Sequence, residues 1–308
     1  MKEDRKAALK KIKTLVFTQK SEIEDFRNTI EQNFSSVFIP NGIEKVEKEF
    51  GGIKCDVLVP EAAVSRRVLL YIHGGAFVGG SRDSYRNFCG SLAKKCNCRV
   101  IVPEFRLPPS HPYPAGLEDV QSAFDMVLAS LQVKMSTQEI AQEPEIIIGA
   151  DSSGATLALA LLLNLSEKFR LKISSVILFS PWLDLTPESF PAKRRYRCDE
   201  VMSVEDIMRS VDLYTYSSNV VNSDISPLHS SVEQFVSFPK VYIQSGEKEL
   251  LLPQQIAFAD LLRQAGVNVT HEIFPSMPYL FQLCDDCLPQ AFEALDNIGS
   301  FINVRTEE

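Results

Sequence analysis

Apolar residues recur at helical spacing through the first 35 positions, at Ile12, Leu15 and Val16 and again at Ile23, Phe26, Ile30 and Phe34, and predict one or two amphipathic helices. Residues 44–60 change to strand character on both sides of Gly51-Gly52, which reads as a hairpin turn. Beyond residue 66 short apolar runs alternate with longer amphipathic ones. The runs predict strands at 67–74, 98–105, 145–151, 173–182, 240–246 and 267–274, with helices at 84–96, 117–131, 153–168, 254–265 and 288–303. Continuous apolar strands separated by helices imply an α/β architecture, an eight-stranded, mostly parallel sheet with helices on both faces. The alternation breaks at 184–226, an irregular stretch holding Pro187, Pro191, the basic run KRRYR at 193–197, Tyr214 and Tyr216.

Composition narrows the setting. With 308 residues, 45% of them hydrophobic, and no linker, the chain reads as one domain spanning 1–308. A net charge of -8 excludes a basic nucleic-acid footprint. The N-terminus alternates charges and lacks a signal-peptide core, and no run reaches the roughly 18 apolar residues of a transmembrane helix. Seven cysteines give no paired framework, so a reduced, cytoplasmic location is expected. Cys284-x-x-Cys287 has no second ligand pair of matching spacing, and neither a metal nor a cofactor is expected.

Candidate chemistry gathers just after predicted strands, where α/β sheets place their functional groups. In IIIGADSSGATLALAL, Ser152 stands at the corner between an apolar strand and an apolar helix. The pattern G-x-S-x-G exposes a nucleophilic serine there because small residues two before and two after it let strand and helix approach. Here those residues are Ala150 and Gly154. A helix cap formed by Asp151 or Ser152 is the alternative use of the same residues. About seventy residues earlier, HGGAF supplies Gly74 and Gly75. Their N–H groups, with that of Ser153 at the helix start, are candidate donors to the oxygen that turns negative in a tetrahedral intermediate. His73 reads as a loop brace.

Taken together, these motifs resemble the hormone-sensitive-lipase-like family of α/β-hydrolases from about residue 60 to residue 303. HGGAFVGGS is similar to its oxyanion loop, ADSSGA to its GDSAGG, and EFRLPPSHPYPAGLEDV to its DYRLAPEHPFPAALEDV. The resemblance implies an α/β-hydrolase fold and hydrolysis of short to medium acyl esters by Ser152. It puts Glu249, in GEKELLLPQ, at the catalytic acid. It also implies a lid over the serine from about 1–40 and 184–226, with Phe77, Trp182, Phe190, Tyr214 and Tyr216 lining the acyl pocket, and pairing of two copies through the last strand and helix.

One position departs from the family. Its GMPHxF appears here as SMPYLF, so Tyr279 stands where the catalytic histidine belongs. His73 and His111 belong to other motifs, His271 to a strand and His229 to the segment after the insertion. Loss of a triad histidine costs about 10⁴ to 10⁶ in turnover. A tyrosine of ordinary pKa is phenolate in only about one molecule in a thousand at neutral pH, and Lys248, beside Glu249, is the candidate cation to favour that form. Two uses stay open: slow ester hydrolysis, or binding of a small ester or apolar ligand without turnover.

Overall fold

The computed structural model describes residues 2–35, 39–64, 66–138, 142–190 and 199–303. Pro191, the basic run at 193–197 and Cys198 lie outside the described residues. Two helices, α1 (Lys2–Lys13) and α2 (Ile23–Phe34), precede the sheet. Gly51 and Gly52, both at positive φ, close the hairpin between β1 (Ile43–Phe50) and β2 (Ile53–Pro60). The chain continues through β3 (Arg67–Ile72), α3 (Arg82–Cys96), β4 (Arg99–Pro103), α4 (Ala115–Ser136), β5 (Glu145–Asp151), α5 (Ser152–Asn164), the single turn α6 (Glu167–Arg170) and β6 (Ile173–Phe179). It finishes with α7 (Val204–Tyr214), β7 (Lys240–Gly246), α8 (Leu252–Gln264), β8 (Val269–Phe274) and α9 (Pro289–Asn303).

The expected sheet is present, eight strands in the order β1-β2-β4-β3-β5-β6-β7-β8. Only β1 with β2 and β2 with β4 run antiparallel; from β4 onward each neighbouring pair is parallel. β5 sits mid-sheet between β3 and β6, its residues buried on both faces, which accounts for the unbroken apolar run of IIIGA. α5 is buried on every side from Ser152 to Leu162, and a helix enclosed that way is apolar all round.

Three elements differ from the sequence reading. The helix expected at 153–168 breaks after Asn164, where Leu165 is extended, and resumes as α6. The helix expected to stop at 131 continues to Ser136. Within the stretch read as irregular lies α7, with Ile207, Val211 and Tyr214 buried along one face. Its start is fixed by a capping box in which Ser203 Oγ accepts from the Asp206 N–H (3.2 Å) and the Asp206 carboxylate accepts from the Ser203 N–H (3.3 Å).

The segment joining α1 to α2 meets α7 beside Ser152, at the carboxyl end of β5. Arg209 of α7 reaches back to the N-terminal segment, donating to the carbonyls of Thr18 (2.5 Å) and Ser21 (2.7 Å) and lying 4.3 Å over the Phe17 ring. Arg27 of α2 ties the helix to the loop after β3 through the Val78 carbonyl at 2.8 Å. Among the described residues no helix is long and apolar enough to cross a membrane.

Candidate active site

Ser152 begins α5 directly after β5 with φ of +48°, a left-handed backbone that a non-glycine residue adopts only where its surroundings impose it. The imposing contact is Gly154, where an added Cβ would stand 2.2 Å from the Ile72 carbonyl oxygen. β3 and α5 therefore touch main chain to main chain, and the serine is thrust out of the corner toward a cavity. That cavity is about 20 Å³, and Ala76, Trp182, Ile207, Ser210 and Tyr279 line it beside Ser152, with Leu15, Val16 and Phe17 closing it from the N-terminal side. It is roughly the space of one or two waters.

The Tyr279 hydroxyl donates a hydrogen bond to Ser152 Oγ. Both residues are buried, at 5% and 1% exposure. Burial holds the phenol well above its ordinary pKa; the bond to Ser152 opposes this, and the charges of Asp151 and Glu249 reinforce it. The side chain is consequently a neutral proton donor at physiological pH. Lys248 does not alter that, since its Nζ lies toward the surface, 3.9 Å from Glu247.

Glu249 occupies the loop after β7 and is 1% exposed. One carboxylate oxygen accepts from Ser180 Oγ and the Gly246 N–H, each at 2.6 Å, and the other accepts from Gln255 Nε2 at 2.8 Å. Burial pushes its carboxyl up to about 8 despite these three bonds. Ser180 also accepts from the Leu280 N–H at 3.1 Å, so Glu249 is linked through one hydroxyl to the backbone beside Tyr279 and not to its ring. The two loops are closely fastened: a Cβ on Gly246 would stand 2.4 Å from the Met277 carbonyl oxygen, and the Lys248 N–H donates to that same carbonyl at 3.0 Å.

The donors above Ser152 differ from the expected set. The Gly74 N–H donates to Asp151 Oδ1 at 2.9 Å and is occupied. Asp151 is fully buried and also accepts from the Tyr71 hydroxyl (2.9 Å) and the Tyr85 hydroxyl (2.8 Å); burial raises its carboxyl to about 6 against those bonds. It braces the loop from beneath. Gly75 follows with φ of +119°, where a Cβ would meet the Gly79 carbonyl oxygen at 2.2 Å, and Ala76 follows at +54°. Among the described residues neither the Gly75 nor the Ala76 N–H is engaged by an acceptor. Ser153, second residue of α5, has an N–H that no intrahelical carbonyl reaches.

The histidines bond elsewhere. His73 stacks between Tyr85 and Phe105, with ring centroids at 5.3 and 4.3 Å, and its Nδ1 lies 2.8 Å from the Gly74 carbonyl; burial lowers its pKa to about 4. His271 pairs with Ser245 Oγ (2.8 Å) and His229 with Asp184 (3.1 Å). His111 lines a separate cleft with His73 and Leu107. Of the expected pocket aromatics, Trp182 lines the Ser152 cavity. Phe77 and Tyr214 stack on each other at 3.8 Å and line the separate cleft with His111, while Phe190 is buried in the core and Tyr216 is 83% exposed.

Residues 69–283 match the alpha/beta hydrolase fold family, and the chain belongs to it. It is similar to an esterase of Acinetobacter venetianus, 32% identical over 252 residues that cover 81% of this chain and 78% of that one. An acetyl-hydrolase of Streptomyces hygroscopicus is 28% identical over 242 residues, covering 79% and 77%. Among solved structures, an esterase from the bacterial hormone-sensitive lipase (HSL) family superposes with a TM-score of 0.85 at 26% identity, over 97% of each chain.

Proposed function

We propose that this protein is a carboxylic-ester hydrolase for small acyl esters, with Ser152 as nucleophile and a turnover limited by Tyr279 in the base position. The observation that carries the reading is the strained serine corner aimed into a cavity beside free backbone donors. Gly75, Ala76 and Ser153 form the oxyanion hole in this reading, and Gly74 is replaced in that role by Ala76. Each such donor contributes on the order of 3 kcal/mol to the transition state without needing a base. The proton of Ser152 must pass to water or hydroxide, because Tyr279 donates to Oγ and is neutral. Glu249 then supports the loop geometry through Ser180 instead of orienting a base.

α1, α2 and α7 form the lid in this reading, and a cavity of about 20 Å³ favours acetyl over longer acyl groups unless they open. The relatives named for ester hydrolysis support turnover over binding alone. The test is hydrolysis of p-nitrophenyl acetate by wild type and Ser152→Ala. A slow rate that disappears with the serine is expected. Equal rates would assign the site to binding without turnover.

A further inference from the structure

The cysteine pair singled out by its spacing has no part in ester chemistry, yet it adjoins the site. Cys284 ends a 3-10 turn, Phe281–Cys284, that starts two residues after Tyr279. The Cys287 N–H donates to the Cys284 carbonyl at 3.0 Å, and the Leu288 N–H to the same oxygen at 2.8 Å. A turn closed this way holds its end Cα atoms within about 7 Å, and a disulfide spans about 4.4–6.8 Å.

Their surroundings are unequal. Cys284 is fully buried against α1, its Sγ 3.8 Å from the Ala8 carbonyl. Cys287 is only partly buried, next to an ion pair between Lys11 of α1 and Asp286 at 2.9 Å. The hydrogen bond from Cys284 lowers the Cys287 thiol below its ordinary range, with help from Lys11 and against burial and Asp286; the same bond and burial raise Cys284. A lowered, accessible thiol beside a buried partner has the polarity of an attacking and a resolving cysteine. Cys55, Cys89, Cys96 and Cys98 are buried and shielded from the same reaction.

We propose that Cys284 and Cys287 are a redox pair which hydrogen peroxide closes to a disulfide, loosening α1 where it packs on the turn that follows Tyr279. The Cys287 thiolate attacks one peroxide oxygen, and the O–O bond breaks to give a sulfenic acid and water. Cys284 sulfur then attacks the sulfenic sulfur, its proton leaves with the hydroxyl as a second water, and the two electrons lost by the thiols reduce the peroxide. Closing the bond turns the Cys284 sulfur toward Cys287 and away from the Ala8 carbonyl. α1 leads directly into Leu15, Val16 and Phe17, so loosening it opens the cavity wall.

The full-length chain is treated with hydrogen peroxide at a few equivalents, then half is re-reduced with dithiothreitol. Thiol titration should lose two groups, and the peptide holding 284–287 should become about 2 Da lighter by internal disulfide formation. Amide exchange over residues 4–17 should quicken at least threefold in the oxidised sample and return on reduction, while Cys287→Ser should show neither change. Peptides in which 284 and 287 stay unlinked would overturn the proposal. So would a disulfide that forms with exchange over 4–17 unaltered, or quickening that persists in Cys287→Ser.

Discussion

The Tyr279 hydroxyl donates to the oxygen of Ser152 and leaves it protonated, while the carboxylate of Glu249 is held by Ser180, Gly246 and Gln255. A donor on Oγ weakens the neutral hydroxyl as a nucleophile but favours its alkoxide, because hydrogen bonds stabilise the charged form.

The pH dependence of turnover follows from that arrangement. With hydroxide as the acceptor, Ser152-dependent hydrolysis should climb by about tenfold per pH unit between 6 and 9. Initial rates on p-nitrophenyl acetate, corrected with Ser152→Ala at each pH, measure this. A maximum near pH 7 would mean that a base of ordinary histidine pKa serves the serine.

Replacing Tyr279 by histidine supplies an acceptor. Tyr279→His should raise turnover by at least about tenfold, a small part of what a triad base contributes, because Glu249 must first leave its present partners. The gain should grow as pH approaches 8, where the Glu249 carboxyl ionises. Tyr279→His combined with Glu249→Gln should lose most of it. A folded Tyr279→His slower than wild type would show that the phenol takes part in the native chemistry.

Stability should also respond to Glu249. Its folded pKa is raised from 4.5 to about 8, so between those values the folded chain keeps a proton that the unfolded chain has released. That contribution is complete below about pH 4.5 and declines as pH rises toward 8, by up to about 1.4 kcal/mol per unit. Asp151, raised from 3.8 to about 6, acts in the same direction over its lower window. Glu249→Gln should flatten the slope between pH 6 and 8. Gln255 accommodates the change by turning its amide, since its Oε1 is buried without a partner. Denaturant midpoints at pH 6, 7 and 8 decide the matter, and parallel slopes for the two proteins would contradict it.

Arg209 is the latch between α7 and the N-terminal segment. Arg209→Met keeps most of the stem but removes charged hydrogen bonds that contribute about 1.5–3 kcal/mol each. Labelling of Ser152 by a fluorophosphonate should quicken by about tenfold, and the thermal midpoint should fall by several degrees. Unchanged labelling would place the slow step elsewhere than at this contact.

Much of this molecule was legible in its sequence because the signals are local. IIIGA reads as a central strand, Gly51-Gly52 as a hairpin, and the corner at Ser152 as a strand turning into a helix, all borne out by β5, β1–β2 and α5. α7 was missed although Ser203-x-x-Asp206 and the spacing of Ile207, Val211 and Tyr214 were visible, because prolines and aromatics nearby gave the whole stretch an irregular character. What the sequence does not carry is partnership across distance. The Gly74 N–H meets a carboxylate 77 residues away, and Glu249 finds Ser180 69 residues earlier. Neither pairing leaves a spacing to read. Phe77 and Tyr214 have the chemistry of a pocket wall but stack on each other.

The close approach of Gly246 to the carbonyls of Met277 and Pro278 makes residue 279 replaceable. Its height and direction are set by two lengths of main chain pressed together, with no side chain between them. A tyrosine, a histidine or a smaller residue would hang from the same bracket at the same place. Such a position works as a socket: the occupant can be exchanged by altering one codon, with the housing left standing.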